Sequence, residues 1–414
     1  MHRRVFPATV AALGLLLAAS SAHAQGFGVF EQSACAMGRM GAVVAAPCSD
    51  GSSIYFNPAG IVLTPQQTIS FGATAIAPRG DFTSTGETSS LLNRYYPVPN
   101  VYYKRNFGDG RFAAGLGVFA PYGLTTEWPV DSEARYLGYK SLVQSLYVQP
   151  TFAYKISDKV AVGGGVDITY TKVELRQRAD LSTVAITGTP YTFGTLPVGP
   201  VPAGTDFADI SLKGHVWHAG VNVGVIITPD ERVSLGVRYL SGQRLKVTNG
   251  EVTTMQIPTG LTLAIPLGPI PAGTSIDDLM EPKFQSGGVL SDQSATASLP
   301  LPDQLVAGVA VHATPQVLFE ADYQFVRWSM FDSLNIEQSI AGPHPIYEGF
   351  HNTSGVRMGV DCAVTPMTTI RGGFDYNQTA EPPESVTPNL PEGPRAQFRV
   401  GLGQKLGSRA TIDA

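Results

Sequence analysis

Few side chains in this sequence are spaced for covalent chemistry; more are spaced for binding. Seven histidines are present, two of them, His2 and His23, close to the start. His215 and His218 flank Trp217, a spacing that puts them on opposite faces of a strand and so not on one metal. His344 and His351 are isolated near a loop, and no His, Cys or acidic run has metal-ligand spacing. No cofactor is expected. A nucleophilic Ser–His pair needs a carboxylate or amide to orient it, and no spacing singles one out. Binding chemistry is easier to find. Asn57-Pro58-Ala59 holds an amide whose backbone is kept extended by the following proline. That amide can bond carbonyls of a neighbouring wall, or the segment can be an ordinary turn. Between Gly250 and Glu281, Met255, Ile257, Leu261, Leu263, Ile265 and Leu267 form a loop apolar enough to touch a hydrophobic ligand or to pack on other loops.

These residues need a scaffold. The chain opens on a targeting segment: His2-Arg3-Arg4, an apolar core from Val10 to Ala19, and the small-x-small site Ala22-His23-Ala24. Residues 1–24 read as a signal peptide, with the mature chain starting at Gln25 or Gly26. No later segment offers the roughly 20 apolar residues of a spanning helix. Charged residues are 15% and glycine is abundant, at 45. A net charge of −5 argues against a nucleic-acid partner.

From about Gln66 the apolar pattern has period two. In Arg232 to Tyr239, Val233, Leu235, Val237 and Tyr239 oppose Arg232, Ser234, Gly236 and Arg238; Lys159 to Tyr170 and Val356 to Val364 divide likewise. One face is apolar, the other charged and glycine-rich. A soluble sandwich would bury the apolar face, and a membrane barrel would present it to lipid. Short turns, such as Ser157-Asp158 and Thr228-Pro229-Asp230, alternate with long connections over 179–206, 250–292, 330–349 and 378–394. Outer-membrane barrels show that alternation at their two ends. Strands are expected at 66–82, 95–107, 111–126, 136–157, 159–178, 206–228, 232–250, 293–313, 316–337, 350–364, 368–379 and 395–406, with another beginning at Arg409. The fold class is all-β, an antiparallel transmembrane barrel.

Several segments, in this order, resemble the FadL-type outer-membrane transporters (OmpP1/FadL/TodX) of long-chain fatty acids and other hydrophobic compounds. They are Glu31-Gln32-Ser33-Ala34, Asn57-Pro58-Ala59, Phe119-Ala120-Pro121-Tyr122-Gly123, Leu299-Pro300-Leu301-Pro302-Asp303, Trp328-Ser329-Met330-Phe331 and Glu348-Gly349-Phe350. The resemblance implies a barrel of about fourteen strands in the outer membrane, plugged by an N-terminal hatch at 25–65 and walled by 66–414. It implies capture of a hydrophobic small molecule by extracellular loops and release after a hatch movement, in part sideways into membrane lipid. It places an inward wall kink at Pro121, Tyr122 and Gly123, where proline removes a ladder donor and glycine tolerates a bend. Arg176 lies roughly where the family has a ligand-facing arginine, with Arg178 on the same face; each could receive a carboxylate or sit in a structural ion pair. Glu348 stands beside the position of a second family base, which is absent here. Cys35 and Cys48, both in the hatch and in an oxidising compartment, are expected to form a disulfide; two buried thiols are the alternative. Cys362 is expected to be unpaired. The chain is expected to act as a monomer and to lack its last strands, because it stops early in a thirteenth. A lipid-acting hydrolase and a general porin are the competing readings.

Overall fold

The computed structural model describes residues 26–84 and 86–414, so the leader expected at 1–24 lies outside the described residues. The chain begins with β1 (Gln67–Ile76), then a hairpin outside the main sheet, β2 (Asp81–Ser84) and β3 (Glu87–Ser90), and then β4 (Tyr96–Phe107), β5 (Phe112–Glu127), β6 (Lys140–Ser157), β7 (Val160–Asp180) and β8 (Asp206–Ile227). Next come β9 (Val233–Leu240), β10 (Gln243–Gln256), β11 (Gln293–Leu301), β12 (Gln304–Thr314), β13 (Val317–Val326), β14 (Ser333–Gln338), β15 (Gly342–Tyr347) and β16 (Thr353–Ala363). The chain ends on β17 (Thr368–Asn377), β18 (Arg395–Leu406) and β19 (Ala410–Asp413). Four short helices interrupt them: α1 (Ala34–Gly38), α2 (Ser53–Phe56), α3 (Arg135–Gly138) and α4 (Ile276–Phe284).

Every ladder is antiparallel. β1 pairs with β4, and β4 to β8 follow in sequence order. β8 then pairs with both β9 and β10, because those two are one stave broken at Ser241-Gly242. The same holds for β11 with β12, β13 with β14, and β15 with β16. β17, β18 and β19 complete the order. Among the described residues the wall therefore has twelve staves and the short strand β19. Several expected boundaries differ: the strand expected at 136–157 starts at Lys140 after α3, the one expected at 232–250 is broken at 241–242 and runs to Gln256, and two further differences have a clear cause. The first stave stops at Ile76, ahead of Pro78 and Gly80, and 81–90 fold back as the separate hairpin. The connection expected over 330–349 contains β14 and β15. Pro343 and Pro345 disguise β15, but it pairs only with β14, so its missing donors fall on an open edge.

The direction of the alternating faces decides between sandwich and barrel. Leu235, Val237 and Tyr239 are exposed while Arg238 between them is 3% exposed. Val166 and Ile168 are exposed while Asp167 and Thr169 are fully buried. Phe319 and Val400 are 52% and 87% exposed. An apolar outside and a polar inside is the pattern of a wall in lipid.

The inside is filled. Nearly every residue from Gly26 to Val62 is buried, and Cys35 is bonded to Cys48. Cys362 is free and half-buried. The inner wall carries glycine where the plug presses on it. A Cβ on Gly224 would lie 2.0 Å from Asn57 Oδ1, one on Gly236 would lie 2.1 Å from the Val44 carbonyl, and one on Gly163 would lie 2.5 Å from the Ala59 nitrogen. Close backbone approach requires glycine at these three positions.

Candidate functional site

The wall is irregular at one level on two sides, and the hatch threads between. On one side the β5–β6 register shifts between Phe119 and Tyr122, leaving Ala120 and Pro121 outside the ladder. Such a bulge bends its strand, and Pro121 has no donor to leave unpaired. The hatch supplies the missing partners. Ala120 N–H donates to Gln32 Oε1 (3.0 Å) and Gln32 Nε2 donates to the Ala120 carbonyl (2.8 Å). Val29 N–H donates to the Pro121 carbonyl at 2.8 Å, and Gly123 N–H to the Phe27 carbonyl at 2.9 Å. Tyr122 turns inward, is 1% exposed, and donates its hydroxyl to the Pro302 carbonyl at 2.7 Å. Gln304 Nε2 donates to the same hydroxyl at 2.9 Å. Pro302 lies five staves away in the sheet order, so the bulged strand projects into the lumen.

Opposite the bulge, four consecutive staves break, at 241–242, 302–303, 327–332 and 348–352. The breaks turn side chains inward. Phe27 of the hatch meets Trp328, Phe331 and Tyr122 at ring-centroid distances of 4.9, 5.4 and 6.1 Å. Phe350 packs on Phe331 at 5.0 Å and on Trp328 at 5.7 Å. Leu240, Leu245, Leu299, Leu301 and Val326 belong to the same buried cluster. Local hydrogen bonds replace the lost ladder: Arg327 N–H donates to the Asp303 carbonyl at 3.0 Å, Phe331 N–H to the Trp328 carbonyl at 2.7 Å and Ser329 N–H to Asn352 Oδ1 at 3.1 Å. The result is an aromatic and aliphatic cluster packed around Phe27.

Below it the hatch is tied to the wall. Asn57 Nδ2 donates to the Val44 carbonyl at 2.7 Å and to the Val225 carbonyl of β8 at 3.2 Å, while Oδ1 accepts from Ala59 N–H at 3.2 Å. Pro58 and Ala59 start a 3-10 turn running to Val62 and are buried. Asp322 and Glu320 of β13 accept from the N–H groups of Val43 to Ala46. Arg39 pairs with Glu320 at 3.3 Å and Asp361 at 3.5 Å. Glu31 is bound by Arg399, with Arg395 at 3.8 Å. Burial alone would raise the Glu31 carboxyl, but Arg399 and Arg395 outweigh it and hold the group below the ordinary range.

Both arginines singled out in the sequence are already engaged. Arg176 donates to Glu174 at 2.8 Å, a carboxylate shared with Lys140 at 3.1 Å, and Arg178 pairs with Asp209 at 3.1 Å. Glu348, in the break between β15 and β16, is buried. The apolar loop is divided. Leu263 is buried, and Leu261 and Leu267 pack with it against Leu181, Phe193 and Met280. Ile257 and Ile265 are half-buried, and Met255 is 62% exposed, on the outer wall. Phe27 and Gln32, which hold the cluster and the bulge, carry no periodic signal that would have marked them. Trp328 and Phe350 were visible only as parts of segments, not as a cluster.

Known proteins share this arrangement of chain. The long-chain fatty acid transport protein of Escherichia coli is 24% identical over 427 residues, covering 100% of this chain and 90% of that protein. Outer membrane protein P1 of Haemophilus influenzae is 23% identical, covering 99% of this chain and 88% of that one. Among solved structures, a Pseudomonas aeruginosa FadL homologue superposes with a TM-score of 0.74 at 21% identity, covering 94% of this chain and 89% of its own. The Ralstonia pickettii toluene transporter TbuX does so with 0.65 at 21% identity, covering 94% and 92%. The outer membrane protein transport protein model (OMPP1/FadL/TodX) matches residues 15–414, and with its lipid-facing wall and filled lumen this chain belongs to that family.

Proposed function

We propose that the chain carries hydrophobic compounds passively across the bacterial outer membrane, and that neutral molecules of the size of an aromatic hydrocarbon fit it better than fatty-acid anions. The apolar cluster around Phe27, a chamber once that ring moves aside, carries this reading. It offers ring faces and aliphatic side chains, which favour apolar ligands through desolvation at ~25 cal/mol per Å². A carboxylate would need a free cation there. Arg176 and Arg178 are held by their own carboxylates, and Glu348, two residues before Phe350, is acidic. The loop containing Leu261, Leu263 and Leu267 forms the lid over the wall's outer end, and Met255 and its neighbours receive the compound first. Displacement of Phe27 opens the chamber. Withdrawal of the Phe27–Gln32 segment then leaves the Ala120-Pro121 gap, a lateral exit into membrane lipid. One subunit is sufficient for this path, and Asn57, Pro58 and Ala59 keep the plug seated meanwhile.

The test is uptake of labelled toluene and labelled oleate, in parallel, by transporter-deficient cells expressing the complete locus. Toluene uptake without oleate uptake is expected. Oleate uptake that is lost on Arg176→Ala or Arg178→Ala would replace the neutral-ligand reading with the anionic one. Uptake of neither by a correctly inserted barrel would overturn the proposal.

A further inference from the structure

The outer surface of the wall changes from apolar to basic on neighbouring staves. On β7 and β8 the lipid-facing row runs from the Val160–Ile227 pair to the Tyr170–Trp217 pair. The ten residues from Val160 to Tyr170 cover about 33 Å along the strand, or about 25 Å in height at a tilt of ~40°, which is the height of an apolar band in a barrel. The two rings meet at a centroid distance of 4.9 Å and Trp217 is 64% exposed, as in the aromatic girdle at a lipid–water boundary. The next outward pair is Lys172 and His215. Asn249 of β10 joins it, donating from Nδ2 to His215 Nε2 at 3.0 Å. Along the following stave the outward residues are Leu235, Val237 and Tyr239 below the break at 241–242, and Arg244, Lys246 and Thr248 above it. Lys172, Arg244 and Lys246 are exposed, and none of the three forms an ion pair among the described residues. Lys213, one step further out, faces Glu251 across the ladder.

A second feature adjoins this basic row. Where β10, β11, β14 and β15 lie side by side, the outer face holds a depression of about 470 Å³, lined by Lys246, Thr248, Thr296, Ser298 and Asn335. The ladders put Lys246 opposite Ser298, and Ser298 opposite Asn335, so the three share one row. The β10–β11 register shifts at this place, between Val247 and Gly250. Glu337 is the acid in the depression, on the row farther from the membrane. Hydroxyl and amide groups match the hydrogen-bonding face of a sugar. Free cations beside them match phosphate, which arginine grips through two N–H groups.

We infer that this face of the wall binds the phosphorylated sugar headgroup of a glycolipid in the outer leaflet. Lys172, Arg244 and Lys246 take the phosphates, and the depression takes the sugar. The acyl chains lie against Tyr170, Trp217 and the apolar row beneath them. The site lies outside the barrel and does not depend on which compound passes through the lumen.

The experiment is titration of the purified full-length protein, in an uncharged polyoxyethylene detergent that carries no sugar, with bisphosphorylated lipid A, read by native mass spectrometry. Monophosphorylated lipid A, phosphatidylglycerol and inorganic phosphate are titrated in parallel. The bisphosphorylated glycolipid is expected to bind most tightly. Arg244→Gln and Lys246→Gln should each weaken it about fivefold, the scale of one basic residue at an anionic surface. Both side chains are exposed and unpaired, so neither substitution removes a contact of the fold. Ser298→Leu, which fills the depression, should weaken lipid A and leave phosphatidylglycerol as in wild type. Lys159→Gln, exposed at the opposite end of the wall, should change nothing. Lipid A binding indifferent to both Arg244→Gln and Lys246→Gln would overturn the inference. Phosphatidylglycerol binding as tight as lipid A would reduce the site to charge alone and overturn the sugar assignment. Inorganic phosphate binding as tight as either lipid would overturn the lipid as its source.

Discussion

Replacing Asn57 with alanine removes the bonds that fasten the lower hatch to itself and to the wall. The amide is fully buried. It spans four groups: the Val44 carbonyl at 2.7 Å, the Val225 carbonyl at 3.2 Å, the Val237 carbonyl at 3.5 Å and the Ala59 N–H at 3.2 Å. A net hydrogen bond contributes about 0.5–1.5 kcal/mol, and a buried group left without a partner costs about 1–3 kcal/mol. Val225 retains its ladder bond to β9, so the uncompensated loss falls on Val44 and Ala59. The expected destabilisation of the hatch relative to the wall is then about 2–4 kcal/mol. At 1.36 kcal/mol per factor of ten, this is a roughly 30- to 1,000-fold rise in the fraction of time the plug is unlocked. Native-state hydrogen exchange reads it directly, peptide by peptide. Segments covering 43–64 should exchange faster by that factor, while those covering β16 and β17 should not change. Asn57→Asp keeps the acceptor for Ala59 but sets a carboxylate against two carbonyls, and should loosen the hatch at least as much. If hatch exchange in Asn57→Ala stays within threefold of wild type, the lock lies elsewhere and the reasoning fails.

Other outcomes follow from the same contacts. Gly236→Ala should displace the hatch, because its Cβ would sit 2.1 Å from the Val44 carbonyl, whereas Gly164→Ala, whose nearest atom would be 3.4 Å away, should leave folding and hatch exchange as in wild type. Phe27→Ala vacates a ring-sized space between Trp328 and Phe331; benzene should bind this variant more tightly than wild type, measured by titration calorimetry in detergent, and equal binding would show that the chamber collapses or is not the site. Glu31 has a folded-state pKa below its ordinary 4.5, so its contribution is present at neutral pH and is lost as pH falls below about 4.5. Exchange of residues 27–33 should therefore accelerate on acidification, and Glu31→Gln should abolish that dependence. Arg176→Ala should leave toluene uptake within twofold of wild type, because that side chain serves Glu174.

Much of the wall was legible because a period of two survives in any strand, whatever it faces. The stave around Arg238 was readable from four alternating residues, yet the same alternation fits a soluble core. Only the exposure of Leu235, Val237 and Tyr239 shows which side meets lipid. Glycine was legible as abundance and not as cause. Gly163, Gly224 and Gly236 read as small residues on a polar face, while their reason is a plug more than a hundred residues earlier in sequence. Phe27, Tyr122, Trp328 and Phe350 come from four distant segments and meet only because strands break at one level. No local window contains that coincidence. The sequence also could not decide between lone and paired arginines: Arg178 meets Asp209 through the β7–β8 register. For Leu261, Leu263 and Leu267, composition correctly marks apolar surface, but part of it is consumed by the loop carrying Leu181 and Phe193.

The contacts of the hatch span very different lengths of chain. Cys35 and Cys48 are separated by 13 residues, whereas Glu31 meets Arg399 across 368. Glu31 must therefore wait for a segment 368 residues further along before its ion pair can close. Glycine-lined clearances as tight as those at Gly224 and Gly236 leave no passage for a plug inserted after the wall has formed. The staves must assemble around a pre-folded N-terminal knot, like a cask built about its contents, with the contact to Arg399 fastened after the intervening staves. Folding is then slow by topology, since long-range closure precedes its reward. A cell that fails to oxidise the two cysteines would be expected to lose the barrel as well as the plug.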